Sequence, residues 1–381
     1  MREKIAALGG DNLRKIDFPF LVVTLILVAF GLVMVFSASY YASISINGTP
    51  FYYLIRDGIW IAAGLVMLLV GINVDYTIYR KLAFVILLVA FAALAAVLFV
   101  GVTANGATRW LRVGPITFMP GEWAKLALIV FIAWFYSEKP IRSRQPVKGL
   151  LPIVGIAGIF VVLIIRQPNL STAITVAGIA ISMMLIAGMK FRYVAIAASM
   201  GVGGFLFIYF FMRDSYWYDR MTNFIDPFQD MYGEGYQVAQ SLLALGSGGF
   251  TGVGLGRSVQ KSLYLPEPQN DFIMAIIGEE LGFVGIVCLL LVYCIFIWRG
   301  LKIAINAPDH FSMLLAGGVV MMVAIQLILN VAVVTASMPA TGINLPFISY
   351  GGNGILMFML SAGILLNISK HESKEETGEE G

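Results

Sequence analysis

Residues 272–298 have the sequence FIMAIIGEELGFVGIVCLLLVYCIFIW, an apolar run longer than the roughly 20 residues that a helix needs to cross a membrane. Two acidic residues, Glu279 and Glu280, lie inside this run. Carboxylates within an apolar span are costly unless polar partners surround them. The stretch therefore predicts a transmembrane helix with at least one carboxylate turned toward the protein interior.

The composition of the whole chain agrees with this prediction. Of its 381 residues, 59% are hydrophobic and 12% are charged, whereas soluble domains carry roughly a quarter charged residues. Comparable apolar runs predict ten membrane spans, near 18–40, 56–74, 81–102, 119–137, 149–166, 170–189, 192–212, 272–298, 311–336 and 350–368. The predicted fold class is an all-α polytopic membrane protein with about ten transmembrane helices.

The basic residues predict how the spans are oriented. If residues 1–17 are cytoplasmic, eight of the 25 lysines and arginines fall in outside segments, Lys125 falls within a span, and the other sixteen fall inside. This excess predicts that both termini are cytoplasmic, with a transmembrane domain at 18–369 and a charged tail at 370–381. The basic residues are spread in small clusters between spans, which argues against nucleic-acid binding.

One outside segment, residues 214–270 between spans seven and eight, is much longer than the others. It is rich in aromatic residues and glycine, which favours short interfacial helices over disorder. Its glycine-rich run, Gly246 to Gly256, matches no nucleotide-binding pattern. Arg257 and Lys261 follow this run, and cations beside backbone amides suit an anion such as a pyrophosphate, to which Arg109 would add charge.

The remaining candidate residues are ionisable groups at or within spans. Glu122 and Lys125 lie three residues apart on one helical face, where they form either a structural ion pair or part of a site. Asp271 precedes a long helix at the outer face. Its ordinary role would be an N-cap, but Pro266 and Pro268 stiffen its approach in a way that would hold a functional carboxylate in place. No histidine or cysteine cluster predicts a metal site.

Several motifs, in order along nearly the whole chain, resemble the SEDS family of shape, elongation, division and sporulation proteins. The segments that carry the resemblance are Gly106–Leu111, Pro120–Lys125, Arg166–Thr172, Gly235–Ser241, Leu265–Phe272, Gly278–Gly282 and Leu345–Gly352. Two further segments, Gly31–Ser39 and Asn306–Asp309, are more similar to the FtsW and SpoVE branch than to RodA. The chain departs from the family at two positions, with Gly121 where serine is common and Asn169 where aspartate is common.

The resemblance implies a lipid II polymerase of the bacterial cytoplasmic membrane that works in division or sporulation beside a class B penicillin-binding protein. It also implies that Asp271 is the essential carboxylate. We predict an inverting glycosyltransferase in which Asp271 is the general base. The predicted substrate-binding residues are Arg109, Glu122, Lys125, Arg257, Lys261, Gln269, Glu279 and Glu280.

Three points stay open at the level of sequence. A divalent cation, Mg²⁺ or Mn²⁺, would be able to bridge the substrate pyrophosphate, although no dedicated set of ligands is visible. A lipid II flippase would share the spans and the intramembrane charges, but the outside bias of the polar motifs argues against it. A non-catalytic scaffold for the penicillin-binding protein would need no fixed carboxylate at position 271.

Overall fold

A computed structural model describes residues 16–104, 107–114, 116–196 and 235–371, together with residues 199, 203, 206, 210, 227 and 228. Within these residues, seven helices are long and apolar enough to cross a membrane. The prediction of an all-α polytopic membrane protein is confirmed at this level.

Nine helices occupy the positions of nine of the ten predicted spans. They are α1 (Phe18–Asn47), α2 (Tyr52–Asn73), α3 (Tyr76–Val100), α4 (Pro120–Glu138), α5 (Leu151–Ile165), α6 (Leu170–Ile186), α8 (Ile273–Ile305), α9 (His310–Val334) and α10 (Gly352–Ser369). Most of the predicted span 192–212 lies outside the described residues. In the segment 214–270, which is predicted to lie outside, the described part contains one short helix, α7 (Tyr236–Gly248).

A small β-sheet between α3 and α4 is absent from the predictions. Its three strands are β1 (Val102–Ala104), β2 (Ala107–Val113) and β3 (Ile116–Phe118), and each pairs antiparallel with the next. The chain reverses between β2 and β3 at Gly114, whose φ of 61° suits glycine. Strands this short give almost no periodic signal beside long apolar runs, which is why the sequence did not reveal them.

Glycines bring α2 and α10 into close contact. A Cβ atom on Gly71 would lie 2.7 Å from the Leu360 carbonyl oxygen, and one on Gly363 would lie 2.4 Å from that of Leu68. Membrane helices that approach this closely need small residues at the contact. The contact therefore holds the C-terminal halves of α2 and α10 close together.

Helix α8, predicted as one continuous span, is broken near its N-terminal end. Gly282 has a φ of 67° and a ψ of −167°, which no α-helix contains. The loop after α7 enters the break: Val253 and Gly254 donate backbone hydrogen bonds to the carbonyls of Glu279 and Glu280 at 2.9 and 3.0 Å. These bonds replace those that the helix loses, as a low-dielectric environment requires.

Candidate active site

A cavity of about 1370 Å³ lies where several helices begin. The first turns of α4, α6 and α10 all contribute to its wall, and Asp271 lines it immediately before α8 begins. The N-terminal end of a helix carries partial positive charge and suits bound anions. Four helix starts around one cavity therefore favour a negatively charged ligand.

Asp271 lies half-buried in the cavity wall, as its predicted role requires. Its backbone carbonyl accepts a 2.9 Å hydrogen bond from Asn330 Nδ2 on α9. A Cβ atom on Gly342 would lie 3.3 Å from the Asp271 carboxylate, so glycine at this position leaves room beside it. The N-cap position of α8 is Phe272, so Asp271 lies one residue before it.

Glu122 and Lys125 form the ion pair that their spacing predicts, with 2.8 Å between Glu122 Oε2 and Lys125 Nζ. Lys125 is fully buried and also donates to Gln326 Oε1 on α9 at 3.1 Å. Glu122 and Gln326 both line the cavity, whereas Lys125 lies behind them. The hydrogen bond from Lys125 to Gln326 thus joins α4 to α9. The Lys125 charge also offsets the negative charge that Glu122 brings to the cavity wall.

Three arginines line the same cavity: Arg56 on α2, Arg109 on β2 and Arg166 after α5. The Arg109 guanidinium donates to the backbone carbonyls of Gln167 and Pro168, which holds the sheet against the turn between α5 and α6. Arg56 Nη1 donates to the Tyr52 hydroxyl at 2.6 Å. Guanidinium groups pair well with phosphate oxygens, so this wall can hold a phosphorylated headgroup.

The other predicted binding residues are not in the cavity lining. Arg257 is exposed in the loop after α7, and Gln269 is buried with its backbone carbonyl accepting from Tyr350 N–H at 2.9 Å. Lys261, Glu279 and Glu280 are buried. Lys261 pairs with Glu280, and the Glu279 carboxylate accepts a hydrogen bond from the backbone N–H of Val259. The structure therefore brings Asp271, Glu122 and Arg109 together in the cavity lining, with Lys125 behind them, and places the other five outside that lining.

Several cavity residues were not predicted from the sequence. Arg56 and Arg166 were counted there only among the basic residues that predict orientation, although their positions at the ends of spans were a usable signal. Trp60 had no signal of its own, because aromatic residues are common near membrane surfaces, and Tyr350 was named only within the Leu345–Gly352 motif. Burial raises the pKa of the Tyr350 hydroxyl, just before α10, above its ordinary value, while Arg56 opposes the shift, so this side chain is a neutral hydrogen-bond donor at neutral pH.

Taken together, fold and cavity define a polytopic membrane protein whose cavity suits an anionic headgroup. The model of the FtsW, RodA and SpoVE family, described as cell cycle protein, matches residues 18–374. Stage V sporulation protein E of Bacillus subtilis is 38% identical over 93% of this chain and 97% of its own length. A probable peptidoglycan glycosyltransferase FtsW of a Geobacter species is 37% identical over 93% of this chain and 96% of its own. This chain belongs to the SEDS family, and the resemblance noted in the sequence is confirmed.

Solved structures show the same fold. A chain from a peptidoglycan synthase complex superposes with a TM-score of 0.77 at 23% identity, covering 94% of this chain and 99% of the other. RodA of Thermus thermophilus superposes with a TM-score of 0.69 at 24% identity, covering 94% and 98%. The helices are therefore arranged as in other members of the family.

Proposed function

We propose that this chain is a peptidoglycan glycosyltransferase of the FtsW and SpoVE kind that polymerises lipid II in division or sporulation. The observation that carries the proposal is the convergence of Asp271, three arginines and four helix starts on one cavity. A lipid-linked disaccharide has both an anionic pyrophosphate and a reacting sugar. The cavity offers positive groups for the first and a carboxylate for the second.

In the proposed reaction, the 4-hydroxyl of a terminal N-acetylglucosamine attacks the anomeric carbon of a second lipid-linked unit. The bond from that carbon to the pyrophosphate oxygen breaks, the undecaprenyl pyrophosphate leaves, and the anomeric configuration inverts. Asp271 takes the proton of the attacking hydroxyl, a role typically worth about 10² to 10⁴ in rate. Arg56, Arg109 and Arg166 stabilise the charge on the leaving pyrophosphate.

The proposal includes ten spans with both termini in the cytoplasm and the cavity at the outer face of the bacterial membrane. Contacts between residues predicted to be cytoplasmic support it. The Arg299 guanidinium pairs with Asp17, and the Tyr76 hydroxyl donates to Asp309 at 2.7 Å. The cavity, by contrast, is lined by residues predicted to lie outside, such as Arg56, Arg109 and Asp271.

A class B penicillin-binding protein, with other division or sporulation proteins, completes the proposed assembly. A divalent cation would be held mainly by the substrate pyrophosphate, because among the described residues no three histidine, cysteine, aspartate or glutamate side chains converge on one point. Such an ion, when bound, would neutralise pyrophosphate charge. The proposed proton transfer to Asp271 does not depend on it.

A reconstitution experiment tests the proposal against the flippase and the scaffold. The purified chain and its partner are given fluorescent lipid II, and the products are separated by length. We expect glycan polymer from the parent and none from Asp271→Ala, which should still fold and bind the partner. Polymer from Asp271→Ala would refute the role of Asp271, and movement of lipid II across the bilayer without polymer would favour a flippase.

A further inference from the structure

The buried charged residues near the N-terminal end of α8 form a network outside the cavity lining. Glu280 is completely buried and accepts hydrogen bonds from Lys261 Nζ at 2.7 Å and from Ser37 Oγ on α1 at 2.7 Å. Lys261 Nζ also donates to Ser37 Oγ at 3.0 Å. Both charges are therefore paired and hydrogen-bonded, as burial in an apolar protein interior demands.

Glu279 makes a second attachment to the same outer segment. Its carboxylate accepts from the Ser258 hydroxyl and, at 2.8 Å, from the backbone N–H of Val259. Glu279 and Glu280 lie in the short part of α8 before the break at Gly282. As adjacent residues on a helix, they point in different directions. Together they fasten residues 258–261 to the part of α8 that begins beside the cavity.

The segment that is fastened in this way leads directly to Asp271. Its far end is held as well, because Tyr350 N–H donates to the Gln269 carbonyl at 2.9 Å and Asn330 Nδ2 donates to the Asp271 carbonyl at 2.9 Å. The segment has anchors at both ends and carries the proposed base at one of them.

We propose that Lys261, Glu280 and Ser37 are positioning residues, whose network fixes residues 258–271 and so holds the Asp271 carboxylate in the cavity. This inference rests on the proposed function for its effect on rate. It gives Lys261 and Glu280 a positioning role, whereas the sequence analysis predicted that they bind the substrate. The two charges pair with each other, and neither residue lines the cavity.

The test compares the single variants Lys261→Met and Glu280→Gln with the double variant that carries both. Each single change leaves a buried group without its partner, whereas the double change removes both charges. We expect each single variant to lower the rate of polymerisation on the order of 10- to 100-fold with little change in KM for lipid II. The double variant should recover most of the lost rate.

Hydrogen exchange gives a second measurement that needs no substrate. Backbone amides in residues 258–271 should exchange faster in each single variant and return toward the parent rate in the double variant, while α9 and α10 stay unchanged. Lys302→Met is the matched control, because Lys302 is exposed at the opposite end of α8. It should leave exchange in residues 258–271 unchanged.

The outcomes separate the positioning role from its alternatives. Unchanged exchange in the single variants, or a raised KM that persists in the double variant, would overturn the inference. If the single variants fail to fold, Ser37→Ala, which removes only a hydroxyl, should still speed exchange in residues 258–271. If the parent makes no polymer, the proposed function fails, and the exchange data still decide whether the network fixes the segment.

Discussion

Gly121 and Asn169, which the sequence analysis singled out as departures from the family resemblance, are neighbours in the structure. A Cβ atom on Gly121 would lie 3.8 Å from Asn169 Nδ2 and 3.3 Å from Thr172 Cγ2. Asn169 is buried and caps α6 through its Oδ1 atom, while its Nδ2 atom has no hydrogen-bond partner in the described part of the chain. The two departures therefore belong to one contact, in which an amide donor faces the space that glycine leaves.

This contact predicts that Gly121→Ser stabilises the protein by about 1 kcal/mol. The hydroxyl would accept from Asn169 Nδ2, and serine also favours a helix over glycine. Gly121→Ala is the matched control, because it places the same Cβ atom against Thr172 without a hydroxyl. Thermal unfolding in detergent should rank serine above alanine despite the higher helix propensity of alanine, and the reverse order would show that no hydrogen bond forms.

At the scale of elements, the break in α8 explains why Gly278–Gly282 has its sequence. The glutamates contact partners in residues 258–261, and Gly282 adopts a positive φ that other residues adopt only with strain. A Cβ atom on Gly282 would lie 2.3 Å from the backbone nitrogen of Gly252. Gly278–Gly282 is therefore the segment of α8 into which the loop after α7 packs.

We predict that Gly282→Ala destabilises the protein by about 2 kcal/mol or more, because the new Cβ atom meets backbone in addition to the strain of a positive φ. The measurement is the melting temperature in detergent. Gly246→Ala serves as the control, because Gly246 lies on α7, where an added Cβ atom would have no neighbour within 4 Å. Equal melting temperatures for the two variants would contradict the description of the break.

The sequence predicted elements better than it predicted the site. Runs of apolar residues located nine helices because membrane spans are long and uniform, whereas β1 to β3 and the break at Gly282 depend on a few residues and on contacts with a distant loop. Asp271 and Glu122 were predicted because ionisable groups near spans are costly and therefore informative, and Arg109 was predicted as additional positive charge for an anion. Lys261 and Glu280 were predicted as binding residues too, although they form a buried ion pair. The sequence does not separate the two cases, because a buried pair and a binding site both require polar partners.

At the scale of the whole molecule, the helices serve to bring their N-terminal ends to one cavity. At the start of α10, a Cβ atom on Gly352 would lie 2.3 Å from the Trp60 ring on α2, and Lys125 near the start of α4 pairs with Glu122 and donates to Gln326 on α9. The Asp271 carboxylate stands among arginines suited to neutralising a pyrophosphate. In the proposed reaction, this arrangement makes Asp271 the base of glycosyl transfer, and the other acidic groups of the cavity only adjust its charge.

The rate of lipid II polymerisation by Asp271→Asn, measured beside that of Glu267→Gln, tests this claim most directly. Both changes remove one carboxylate from the same cavity wall, and neither changes the size of the side chain much. We predict that Asp271→Asn loses about 10² to 10⁴ in kcat with lipid II binding retained, and that Glu267→Gln loses much less. Equal losses in the two variants, or a kcat for Asp271→Asn close to that of the parent, would contradict the account.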